Sequence, residues 1–60
     1  MDQEVLDVFK RVEQNARALG RHWEILRGNE VRAVQDRRGR LLWRINNRPT
    51  SRFDAIAYFA

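Results

Sequence analysis

The sequence predicts a small α+β domain of order αβββα, in which an N-terminal helix packs on a three-stranded antiparallel meander and a short C-terminal helix follows. Three observations carry this reading. Apolar residues recur at helical spacing from Val5 to Leu19. Two glycine-bearing loops, Gly28-Asn29-Glu30 and Arg37-Arg38-Gly39, separate three short runs of strand-forming residues. Asn46-Asn47-Arg48-Pro49 then interrupts the last run.

The first helix is expected over residues 2–19. Val5, Val8, Phe9, Val12, Ala16 and Leu19 form its apolar stripe, and Lys10, Arg11, Glu13, Gln14 and Arg17 occupy the other faces. Acidic residues crowd its first turns and Arg17 its last, which complements the helix dipole, and Gly20 supplies the left-handed C-cap position.

Strands are expected at about 22–27, 31–36 and 40–45. Asp36-Arg37-Arg38-Gly39 has the composition of a type I turn closed by a glycine at positive φ, the usual three-residue hairpin. Reading both loops as three-residue connections pairs Arg27 with Val31 and Asp36 with Arg40. Side chains alternate along a strand, so Trp23, Ile25, Val31, Ala33, Leu41, Trp43 and Ile45 then share the face against the helix. Glu24, Leu26, Arg32, Val34, Arg40, Leu42 and Arg44 share the other. Both tryptophans are therefore expected in the core, since so short a chain has few other groups large enough to fill it.

Asparagines favour turns and Pro49 cannot donate to a ladder, so the sheet is expected to end at residues 46–49. Ser51 three residues before Asp54 approximates a capping box, and Phe53, Ile56, Ala57 and Ala60 follow at helical spacing. The alternative for this segment is a fourth strand through Ala55–Phe59.

With 60 residues the chain is one domain, 1–60, and folding buries only about 60% of the surface that the unfolded chain exposes. Neither a disulfide nor a thiolate zinc site is available to staple it, because it contains no cysteine, and His22 is its single histidine. No metal or cofactor is expected. A hydrophobic content of 43% arranged in patterned segments supports folding, and no apolar run approaches the roughly 18 residues that cross a bilayer. Asp2 and Glu4 near the N-terminus do not suit a secretory signal, so a soluble, cytoplasmic protein is expected.

Charge is uneven along the chain. Residues 1–20 hold Asp2, Glu4, Asp7 and Glu13 against Lys10, Arg11 and Arg17, a balance of −1, so the net +4 leaves +5 on residues 21–60. Eleven of the twelve basic residues are arginine, whose rigid fork matches phosphate, carboxylate and base edges. A GC-rich genome produces such a bias as readily as selection for anion binding does.

His22 beside Arg21 and near Glu24 makes no convergent catalytic set, because adjacent strand residues point to opposite faces, and no serine has an evident base. Catalysis is not expected. Binding is: Arg32, Arg40 and Arg44 share one sheet face, with Arg37 and Arg38 at the adjoining hairpin tip, which suits phosphate contacts with DNA or RNA. Leu26, Val34 and Leu42 on the same face, with Tyr58 and Phe59 near the C-terminus, equally compose a protein interface, either with a partner that the chain regulates or inhibits or with a second copy in a homodimer.

Overall fold

Helix α1 runs over Gln3–Leu19 in a computed structural model that describes residues 2–60. Asp2 caps it by accepting the Glu4 N–H, and the Gly20 N–H closes its last turn on the Ala16 carbonyl at 2.8 Å. Val5, Val8, Phe9, Val12 and Ala16 are buried as the stripe requires, whereas Leu19 lies outside the core.

Four strands follow, β1 (Arg21–Leu26), β2 (Asn29–Gln35), β3 (Leu41–Ile45) and β4 (Arg48–Thr50), and then helix α2 (Arg52–Tyr58). The sheet is antiparallel throughout, in the order β1-β2-β3-β4. The buried residues of α1, α2, β2 and β3 form one cluster, so both helices pack on the same face. Phe9 is the keystone of this core, stacked on Trp43 at 5.3 Å and meeting Phe59 edge-on at 6.1 Å. Ser51 caps α2 by accepting the Asp54 N–H, and Ala55 is its buried residue; Ile56 and Phe59 pack against the core, but Phe53 points away from it.

The β2–β3 hairpin has the expected register. The Asp36 N–H donates to the Arg40 carbonyl at 2.8 Å, Gly39 has φ +80°, and Asp36 Oδ1 accepts the N–H groups of Arg38 and Arg40 at 2.9 Å each.

The β1–β2 hairpin corrects the expectation. Its loop is the two residues Arg27 and Gly28, at φ +51° and +79°, so Leu26 pairs with Asn29 and Trp23 with Arg32. Two left-handed residues make the turn whose twist matches the flanking strands, and glycine adopts that conformation without strain. Asn29 thereby joins β2, where its side chain donates to the Arg27 carbonyl at 3.0 Å and accepts from Asn46 at 2.8 Å. This changes the parity of β1. Leu26 enters the core at 3% exposure, while Trp23 and Ile25, expected inside, are 52% and 58% exposed on the other face.

Glu24 now faces α1, where Arg11 grips its carboxylate at 2.9 and 3.2 Å and His22 approaches at 3.4 Å. Phe9, Trp43 and Phe59 occupy the apolar space beneath the helices, so the core has its large groups without Trp23.

A second correction concerns residues 46–50. Asn46 and Asn47 take φ +51° and +69°, and the chain folds back as β4, pairing Ile45 with Arg48, Arg44 with Pro49 and Trp43 with Thr50. Asparagine tolerates this conformation better than most residues, and Pro49 is accommodated because β4 is an edge strand. The fourth strand is thus Arg48–Thr50, while residues 55–58 are helical.

Three carboxyls lie below their ordinary range. The Arg27 guanidinium holds Asp2 down, Arg11 does the same for Glu24, and the Arg40 N–H leads the groups that lower Asp36. Each native value is below the unfolded one, so the stabilisation is complete above about pH 5 and is lost as pH falls through the native values. Thermal melts should therefore be flat from neutral pH to about pH 5 and fall below about pH 4. Glu24→Gln should make that acid limb shallower.

Candidate functional site on the uncovered sheet face

The face opposite the helices is covered by no described element of this chain. The three pairings align Trp23, Arg32, Arg44 and Pro49 as one rung across all four strands. The next rung carries Arg21, Val34 and Leu42, and on the other side Ile25 stands opposite Glu30. Strands lie about 4.8 Å apart, so the rung from Trp23 to Pro49 is about 14 Å long.

The predicted cationic residues are placed as follows. Arg32 is half-buried, with Nη2 3.1 Å from Glu30 Oε2 and Nε buried without a hydrogen-bond partner. Arg44 donates from Nη1 to the Asn47 carbonyl at 2.9 Å, which leaves its charge without a carboxylate partner among the described residues. Arg40, at the far end of the face, lies 3.3 Å from Asp36 Oδ2. Arg37 and Arg38 are exposed at the hairpin tip beyond it and, like Arg21, make no ion pair among the described residues. Arg21, Arg32, Arg40 and Arg44 against Glu30 and Asp36 leave the face with a charge of +2, and the two tip arginines add to it.

The structure separates the five residues expected to form a partner interface. Val34 and Leu42 lie on the uncovered face, where Leu42 is 55% exposed. Leu26 does not, for the register places it in the core. Phe59 is half-buried against Phe9 and Tyr58, and its carbonyl accepts from Arg27 Nη1 at 3.5 Å. Tyr58 is exposed but sits apart from Leu42, with its hydroxyl donating to Asn29 Oδ1 at 3.2 Å beside the β3–β4 turn. Tyr58 and Phe59 therefore belong to a different surface from the arginines.

Sequence reasoning missed Trp23, Ile25 and Pro49 as parts of this face. For Trp23 and Ile25 the usable signal was Arg27-Gly28, an X-Gly pair suited to a two-residue turn.

Two shallow depressions mark the face. One of about 290 Å³ is lined by Arg21, His22, Trp23 and Arg32. The other, of about 640 Å³, runs across β3 and β4 and includes Val34, Leu42, Arg44, Pro49 and Arg52 in its walls. Chemically, the arrangement offers guanidinium forks for phosphate or carboxylate and a half-exposed indole for a flat or apolar group. No helix is long and apolar enough to cross a membrane among the described residues. Comparison with protein-family models, with curated proteins and with solved structures found no match, so the reading of this face rests on its own geometry.

Proposed function

We propose that this chain is a nucleic-acid-binding module that acts by binding and not by catalysis, working in the cytoplasm. The observation that carries the reading is the rung on which Arg32 and Arg44 stand side by side, on a sheet face that no described element of the chain covers. Two guanidinium groups on neighbouring strands repel one another in isolation, and a phosphate between them relieves that repulsion. Arg40 extends the cationic track toward the tip, where Arg37 and Arg38 are free to reach further phosphates.

Each neutralised phosphate releases counterions, so affinity should fall steeply with salt. Anisotropy titrations of labelled oligonucleotides across a range of salt concentrations test this. The double variant Arg37→Ala, Arg38→Ala should flatten the log–log salt slope by about two units while leaving the melting temperature unchanged. Absence of binding at low salt, or binding indifferent to salt, overturns the reading.

A second reading is favoured by the exposed Ile25 and Leu42, which belong to the same face. There the face docks a partner protein or closes a homodimer through Leu42. A dimeric mass that reverts to monomer in Leu42→Glu, without salt-sensitive binding to oligonucleotides, would select it.

A further inference from the structure

Resting on the nucleic-acid reading, we infer that the strand bound is single, with an unpaired base stacked on Trp23. The indole is 52% exposed, and among the described residues no aromatic ring packs against it, although Phe9, Trp43, Tyr58 and Phe59 all have ring neighbours. Arg32 stands directly across from it, and Arg21 lies on the same strand and face two residues away. Both belong, with Trp23, to the wall of one shallow depression. A base on the indole thus has cationic groups on two sides for its own and its neighbour's phosphate, the combination of stacking platform and electrostatic groove that holds single strands.

Width and polarity argue against a duplex. The four-stranded rung spans about 14 Å before side chains are added, more than the roughly 12 Å of a major groove, so the sheet cannot enter it as a two-stranded ribbon does. Laid across the outside of a duplex, Trp23, Ile25, Leu42 and Pro49 would meet sugars and phosphates, because the base faces are hidden in the stack. An unpaired strand instead presents base faces to the apolar residues and phosphates to Arg32 and Arg44 at once.

The test uses the whole chain with an oligothymidylate of about 15 nucleotides and a duplex of the same length, at one salt concentration. The single strand should bind at least about tenfold more tightly. Trp23→Ala should weaken it by roughly tenfold without changing the salt slope, since stacking releases no counterions, while Trp23→Phe retains most of the affinity. Binding should quench tryptophan emission in the wild type but not in Trp23→Phe, where buried Trp43 is the remaining indole. Equal affinity for duplex and single strand, or full affinity in Trp23→Ala, overturns the inference and leaves the nucleic-acid reading standing; failure of both probes to bind at low salt overturns both.

Discussion

Trp43→Ala should remove about 3–5 kcal/mol of stability. At ordinary per-residue stability a chain of this length has only about 3–9 kcal/mol to lose, so the substitution removes from about a third to all of the margin and should lower the denaturation midpoint sharply. The size of the effect follows from where the indole sits. Trp43 is 5% exposed, opposite Ala33 on β2, whose small side chain leaves room for it, and it stacks on Phe9 of α1. Its removal opens a void between sheet and helix and leaves the Phe9 ring without its stacked partner. Urea unfolding followed by circular dichroism measures the loss; a variant with wild-type midpoint and slope would show that Trp43 is not the centre of the core.

The second large effect distinguishes two neighbouring aliphatics. Leu26→Ala should cost about 2–4 kcal/mol, whereas Ile25→Ala should change stability by no more than about 0.5–1 kcal/mol. The residues are adjacent and similarly apolar, so propensity alone does not separate them. What separates them is the Arg27-Gly28 turn, which directs Leu26 into the cluster with Val5, Val31 and Ile45 and Ile25 into solvent. A three-residue loop reverses the order of the two effects. Denaturant midpoints of the pair therefore report the register of β1 directly, and a greater loss in Ile25→Ala would refute the pairing described here.

That hairpin also marks the limit of what the amino-acid pattern makes legible. Helix α1 was readable because its stripe repeats over about four turns and its caps agree with it, so several independent cues point to one answer. The β2–β3 pairing was readable for a similar reason, since Asp36 and Gly39 both demand the same turn. β1 alternates large apolar residues with residues that are polar but able to pair, and both parities look acceptable until the ion pair of Glu24 with Arg11 is counted. That contact links residues far apart in the chain, and alternation carries no information about it. The β3–β4 turn was hidden because Asn46, Asn47 and Pro49 signal an interruption of the sheet as strongly as a reversal within it. For the candidate site, the arginines of β2, β3 and the tip were legible, while Trp23 was not, because its face depended on the misread loop.

The two borders of the sheet differ in a way that bears on how the protein behaves at high concentration. β4 is three residues long and contains a proline, so its outer side lacks the run of amide donors that an added strand needs. β1 is six residues long, and among the described residues its outer side has no strand beside it. Edge-to-edge growth is therefore possible in one direction only, and such growth stops at a pair: two molecules that meet β1 to β1 are left with blunt β4 borders outward and cannot propagate into a fibre.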